Sequence, residues 1–305
     1  MLVGFLILPQ CENLRKDLES KSIVKVCGAY DSMSAKLVEV YGFDAVWAGS
    51  FAISAIHNVP DASILTMTEF FAAASNMAHT CEIPVIADCD TGYGDATNVR
   101  YMVKKYESAG IAGICIEDKT FPKQNSLLEN GKNDLLSEKE FVAKILAANE
   151  ARSDKNFLII ARVEALISGA GMNEALKRAT AYENAGADAI LIHSKQKTPD
   201  EVFEFADSWN GSVPIVVVPT TYDGVKISEL QSHKIKMIIY ANQTLRIAHM
   251  AMNRLLKELI KAESISDVKD KLSTMQDVFD LQQMYGVKDK EKELEEKLKK
   301  LGYIN

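Results

Sequence analysis

An alternation constrains this chain more than anything else in it: eight short, β-rich apolar runs are separated by longer stretches with helical patterning. The runs are Val24 to Ala29, Ala45 to Ala48, Pro84 to Ala87, Gly113 to Ile116, Phe157 to Ala161, Ala189 to Ile192, Pro214 to Val218 and Met237 to Tyr240. Helical patterns cover Ser32 to Tyr41, Met67 to Thr80, Ala96 to Ala109, Glu138 to Ala151, Asn173 to Ala185 and Pro199 to Trp209. Eight strands, each followed by a helix, predict a (β/α)8 barrel rather than an open doubly wound sheet. A weak repeat agrees. Tyr41-Gly42-Phe43-Asp44-Ala45-Val46, Ala109-Gly110-Ile111-Ala112-Gly113-Ile114 and Ala185-Gly186-Ala187-Asp188-Ala189-Ile190 share one form, in which a glycine stops a helix and a buried strand begins.

At 305 residues the chain fits one such barrel of about 250 residues plus extra helices. We expect a single domain, with the barrel over about residues 24–242 and a helical tail over about 243–305. The tail has amphipathic stretches, Leu245 to Ala262 and Ile265 to Met284, whose apolar face needs a partner surface, and a charged end, Lys288 to Lys300, that reads as a solvated helix. A net charge of −7 argues against a nucleic-acid partner and against an anionic membrane surface. Cys11, Cys27, Cys81, Cys89 and Cys115 have no paired or ligand-like spacing and read as reduced thiols of a cytoplasmic protein. The apolar start, Met1 to Leu8, lacks the basic flank and cleavage site of a signal peptide and is too short to span a bilayer. It reads as a segment docked on the barrel or on a second subunit.

A barrel places its chemistry at the C-terminal ends of its strands. Asp88, Asp90, Glu117, Arg162, His193 and Asn242 fall there. Asp88 and Asp90, two apart on an extended segment, point to one side, and Glu117 belongs to the neighbouring strand. Clustered carboxylates without His or Cys suit Mg2+ or Mn2+; the alternative is that the two aspartates cap a turn. Arg162 offers a bidentate grip on a carboxylate or phosphate, or else an internal ion pair with Glu164 or Glu117. His193 is a donor to a phosphoryl oxygen or an acid, or a hydrogen-bonded core residue. The polar stretch from Lys119 to Ser137 exceeds an ordinary barrel connection and reads as a lid hinged at Asp118-Lys119, or as an exposed loop. As a lid it brings Lys123, Asn125 and Ser126 to a substrate on closing.

With these residues assembled, the chain resembles the phosphoenolpyruvate mutase family of the isocitrate lyase and phosphoenolpyruvate mutase superfamily. The likeness runs from about Lys25 to Tyr285. It is carried by Glu117-Asp118-Lys119 with Asn125-Ser126, by Asp88-Cys89-Asp90-Thr91-Gly92-Tyr93-Gly94, by Ala161-Arg162-Val163-Glu164-Ala165 and by Gly186 to Ser194. The resemblance implies an α/β barrel whose last helices are swapped between subunits in homodimers or homotetramers. It implies Mg2+ held directly by Asp88 and through water by Asp90, Glu117 and Asp61. It implies that Trp47 and the backbone around Gly49, Ser50 and Phe51 hold a pyruvyl carboxylate, that Arg162, His193 and Asn125 grip a phosphoryl group, and that Lys123 and Ser126 help close the lid. The reaction implied converts phosphoenolpyruvate to phosphonopyruvate, with a phosphonopyruvate decarboxylase consuming the product.

Two departures bear on this. The family has Ser-Gly where this chain has Gly49-Ser50, so the hydroxyl moves by one position. Val59 to Leu65 and Lys119 to Lys123 look equally like the sister phosphonopyruvate hydrolases, which cleave the carbon–phosphorus bond with water. Those have threonine where this chain has Asn125, an amide that leaves no room for water. Carbon–carbon lyases of the superfamily resemble a lid with a catalytic cysteine, and this lid has none. A barrel kept only for protein interaction would have lost the acidic and lid residues.

Overall fold

In the computed structural model, which describes residues 10–304, eight strands close into one parallel barrel in chain order. They are β1 (Val24–Ala29), β2 (Ala45–Ala48), β3 (Val85–Asp88), β4 (Gly113–Glu117), β5 (Leu158–Val163), β6 (Ala189–Ile192), β7 (Ile215–Val217) and β8 (Ile235–Tyr240). Ladder pairs run from Val26 with Ala45 round to Val24 with Met237, which closes the ring. The reading of Met1 to Leu8 as a docked segment concerns residues outside the described ones.

Alternation along the strands divides the core into two. One set, Val26, Trp47, Ile86, Cys115, Ile160, Leu191, Val216 and Ile239, fills the barrel interior. The other, including Val46, Ala87, Ile114, Ile159 and Ile190, packs with helical residues such as Met77, Met102, Phe141 and Tyr182. The interior is floored by the helix Gln10–Ser20, whose Cys11, Leu14 and Leu18 join the inner set. Gln10 Nε2 donates to the carbonyls of Ala78 and Cys81, and Arg15 to those of Lys155 and Asn156, all just ahead of strands. That helix, and the short ones Ser50–Ile56, Ala165–Ser168 and Ile227–Ser232, are absent from the sequence reading because each is too short or too polar to show a period.

The longer helices begin at side-chain caps that the sequence supplies. Asp95 accepts from the amides of Thr97 and Asn98, and Ser137 from that of Glu140. In the repeated helix-to-strand junctions Gly110 and Gly186 have φ of 79° and 98°, a left-handed conformation that ends the helix.

The chain divides into two compact units, the first ending at Leu245 and the second starting at Arg246. Beyond β8 come helices Gln243–Leu259, Met275–Leu281 and Met284–Lys300, with a 3-10 turn at Ile265–Lys271. No residue of Met284–Lys300 is buried, which suits the charged end of the chain. Met252, Leu256 and Ile260 are exposed. Among the described residues no helix is long and apolar enough to cross a membrane, and all five cysteines are free and buried.

Candidate active site

The inner set of each strand continues by twos into a last layer at the C-terminal mouth. From Ile86, Cys115, Ile160 and Leu191 the next inward positions are Asp88, Glu117, Arg162 and His193. The strands run further than the sequence reading placed them, so Asp88, Glu117 and Arg162 are paired strand residues, Glu117 lying beside Arg162. Asp88, Arg162 and His193, though not Glu117, line a cavity of about 220 Å3 together with Trp47, Gly49, Ser50, Phe51, Asp61, Lys123, Asn125, Ser126, Leu127, Thr220 and Asn242. A larger cleft of about 980 Å3, beside Gln10, Ile111 and Phe157 where the strands begin, contains none of these residues.

The segment from Lys119 to Leu136 lies across this mouth. Its ends are joined by a bridge between Lys119 and Leu135, by Thr120 N donating to Asp134 O at 2.9 Å and by Leu136 N donating to Asp118 O at 2.8 Å. Lys123 N donates to Ser63 Oγ at 3.0 Å, which fastens the middle. Lys119, Lys123 and Ser126 are buried, whereas Phe121 and Leu128 are exposed. The expected hinge at Asp118-Lys119 is a fixed root here. Asp118, on the outward parity of β4, is fully buried and accepts from Glu164 N, Arg178 Nη1 and Tyr182 Oη at 2.9, 3.1 and 2.7 Å.

The carboxylates do converge, though not by the geometry expected of an extended Asp88-to-Asp90 segment. The strand ends at Asp88, and Asp90 is left-handed, with φ of 50°. The turn-capping alternative raised for this pair is seen, since Asp88 Oδ1 accepts from Asp90 N at 3.3 Å, and the Asp90 carboxylate still reaches Lys123 at the site. The Lys123 ammonium joins the group, 2.8 Å from Asp61 Oδ1 and 2.8 Å from Asp90 Oδ1. Those two oxygens have the ammonium as their polar neighbour, and Glu117 Oε1, also buried, has the Lys119 ammonium at 3.4 Å. With the ammonium among them, no three His, Cys, Asp or Glu side chains form a ready cation cage among the described residues.

Charge shows what the group lacks. Asp61, Asp88, Asp90, Glu117 and Glu164 face only Lys119, Lys123 and Arg162, five carboxylates against three cations. Burial pushes Asp90 up to about 7, with Asp88 and Asp61 adding to the rise against the pull of Lys123. Burial likewise raises Asp88. Asp61 stays below its usual range because Lys123 outweighs its burial. An all-oxygen set in which carboxylates outnumber the cations, and in which Asp88 and Asp90 are raised, fits a divalent hard cation.

Opposite stands a cationic wall. Arg162 Nε is paired with Glu164 Oε1 and lies 3.3 Å from Glu117 Oε2; its Nη2 donates to Ser126 Oγ at 3.0 Å and lies 2.8 Å from His193 Nδ1. The ion-pair reading of Arg162 and its place in the site are therefore both realised. His193 Nδ1 is also 2.9 Å from Glu164 Oε1. Burial, then Arg162, lowers its pKa, which keeps the ring neutral at pH 7. Arg162 and His193 hold Glu164 well below the usual range against its burial.

Ser50 Oγ donates to Asp88 Oδ2 at 2.9 Å and lies 3.3 Å from Lys123 Nζ, so the displaced hydroxyl is absorbed by the acidic side. Asn125 Nδ2 donates to Asp61 Oδ2 at 2.8 Å, and its Oδ1 accepts from Leu127 N at 3.0 Å. Leu127 and Thr220, in the lining, were not singled out in sequence; neither belongs to a charged or periodic pattern. Asn242 was recognised as a strand-end residue only, and its Oδ1 is buried without a partner.

An acid cluster facing an Arg–His wall over a small cavity at a barrel mouth is where a barrel enzyme carries its active site. The sequence profile of the family described as phosphoenolpyruvate phosphomutase matches residues 14–260, and the chain belongs to that family, within the isocitrate lyase superfamily. It is 44% identical over 270 residues to a phosphonopyruvate hydrolase of Variovorax sp. (strain Pal2), covering 88% of this chain and 93% of that one. The crystal structure of a phosphoenolpyruvate phosphomutase from Streptomyces platensis subsp. rosaceus superposes with a TM-score of 0.91 at 43% identity, covering 93% of this chain and 98% of that one. A phosphonopyruvate hydrolase crystallised with oxalate and Mg++ gives 0.87 at 41% identity, covering 92% and 98%.

Proposed function

We propose that the protein interconverts phosphoenolpyruvate and phosphonopyruvate by intramolecular phosphoryl transfer. Asn125 carries this reading: it stands in the cavity lining beside Ser126 and Arg162, on a lid whose Lys119 and Lys123 are buried, where an amide turned to the phosphoryl group would fill the space that an attacking water needs. Lys123, Arg162 and His193 supply donors and positive charge for a phosphoryl group moving between carbon and oxygen, which is mostly a matter of positioning and charge. Trp47 and the backbone at Gly49, Ser50 and Phe51 line the wall assigned to the pyruvyl carboxylate. Asp88, with Asp61, Asp90 and Glu117 outside it, would hold Mg2+, or Mn2+, which when bound neutralises the charge that develops on the pyruvyl oxygens. Exposed apolar residues such as Leu256 and Ile260 support packing against a second copy in a homodimer or homotetramer.

A second reading, phosphonopyruvate hydrolysis to pyruvate and orthophosphate, is favoured by one contact. The Asn125 amide is engaged by Asp61, and an amide held there leaves the phosphoryl position open to water. Phosphorus NMR of the protein with Mg2+ and phosphonopyruvate separates the two. Phosphoenolpyruvate as the main product supports the mutase, and orthophosphate with pyruvate refutes it. No change at phosphorus would leave a carbon–carbon lyase or a binding protein.

A further inference from the structure

Lys119 is a buried lid lysine to which the proposed reaction gives no role, almost wholly enclosed at 1% exposure. Its Nζ donates to the Gln124 carbonyl oxygen at 2.6 Å and to Ser126 Oγ at 2.7 Å. Beneath it lie Glu117 Oε1 at 3.4 Å and Glu164 Oε2 at 3.7 Å. A buried ammonium is stable only with such countercharge, so the barrel rim fixes the lysine and the lysine holds the lid. Its two acceptors bracket Asn125. Ser126 Oγ also donates to Glu164 Oε2 at 2.6 Å, which doubles the tie on one side of the bracket. Ties between Lys119 and Leu135 and between Thr120 and Asp134 join the lid to itself, while Asn125 on Asp61 and Ser126 on Arg162 hold the same turn beside the lysine.

We propose that Lys119 is a positioning residue that latches the turn from Gln124 to Ser126 over the barrel mouth, and so sets how phosphonopyruvate partitions between isomerisation and hydrolysis. The inference rests on the phosphoryl-transfer reading above. With the turn latched, the carbon–phosphorus bond breaks, its electron pair stays on the pyruvyl unit as an enolate, and the enolate oxygen bonds to phosphorus with no proton exchanged. With the turn released, a water oxygen bonds to phosphorus instead. One water proton then goes to the enolate carbon, giving the methyl group of pyruvate, and the other remains on orthophosphate.

The test compares wild type, Lys119→Met and Lys119→Arg with Mg2+ and phosphonopyruvate, reading the ratio of orthophosphate to phosphoenolpyruvate by phosphorus NMR and tryptic cleavage after Lys123 and Lys132. Loss of two charge-assisted hydrogen bonds lowers the closed-to-open ratio on the order of tenfold to a hundredfold, and so raises the open fraction of a mostly closed lid by the same factor. The Met variant should therefore raise both the orthophosphate ratio and lid cleavage by about tenfold or more, while the Arg variant keeps wild-type values. A Met variant that is merely slower, with ratio and cleavage unchanged, overturns the proposal. Should the Met variant fail to fold, Lys119→Gln decides by the same ratio, and an unchanged ratio again overturns it. If wild type forms only orthophosphate, the mutase reading fails by itself; lid cleavage still tests the latch, and equal cleavage in wild type and variant refutes it.

Discussion

Replacing Lys123 with Met should tighten divalent-cation binding even as turnover falls. The Lys123 ammonium is 2.8 Å from both Asp61 Oδ1 and Asp90 Oδ1. A magnesium ion needs ligand oxygens at about 2.0–2.1 Å and its waters need those next to them, so ion and ammonium compete for one place. Binding to wild type breaks two buried charge contacts, each worth on the order of 1.5–3 kcal/mol before compensation. An ammonium left about 4 Å from the ion would also repel each of its charges by roughly 4 kcal/mol at an effective dielectric of 20. The variant removes both costs, leaving five carboxylates facing two cations. Much of the gross gain is lost because the displaced ammonium finds other partners in wild type. A net gain of at least about 1.4 kcal/mol, or tenfold in Kd, is expected. Titration calorimetry with Mg2+, or Mn2+ resonance, both without substrate, reads it. An unchanged or weaker Kd would refute the view that these carboxylates seat the cation and that Lys123 stands in its place.

Asp88→Ala should abolish both cation binding and turnover with an unchanged circular dichroism spectrum; surviving activity would break the metal assignment. Gly28→Ala would put a methyl group 2.1 Å from the carbonyl oxygen of Ala241, backbone that cannot yield as a side chain does. A loss of about 1–3 kcal/mol follows, visible as a melting point lower by roughly 2–10 °C, with substrate binding weakened through the neighbouring Asn242. The third concerns pH. His193 has its folded pKa depressed below 6.5 by burial and by Arg162, so the stability from keeping it neutral is present above about 6.5 and is lost as pH falls through the depressed value. Urea midpoints should therefore drop less from pH 8 to pH 5 in His193→Asn than in wild type, and equal drops would show that another group carries the acid sensitivity.

The barrel was legible because its evidence is local and repeated: apolar runs of strand length, and helix stops at Gly110 and Gly186. Asp88, Glu117, Arg162 and His193 could be placed because each follows such a run on the inward parity, and parity survives an error of one or two residues at a strand's end. What escaped depends on backbone shape or distant partners. Nothing local shows that Asp90 turns left-handed, that Asp118 faces outward to Arg178 and Tyr182, or that Lys119 bonds forward to Gln124 and Ser126. The departure at Gly49-Ser50 looked consequential in sequence, yet the hydroxyl of Ser50 simply meets Asp88.

The floor helix Gln10–Ser20 also says something about how the chain assembles. Its partners lie far along the chain: Ala78 and Cys81 for Gln10, residues 155–157 and Asp188 for Arg15. Contacts of such separation are slow to form, because the intervening chain must first be ordered. This helix is thus among the later elements to find its place, and its ion pair from Arg15 waits on Asp188. Leu14 and Leu18 share the inner core with residues of β1 to β8, so the floor is complete only when the last strand has joined the ring.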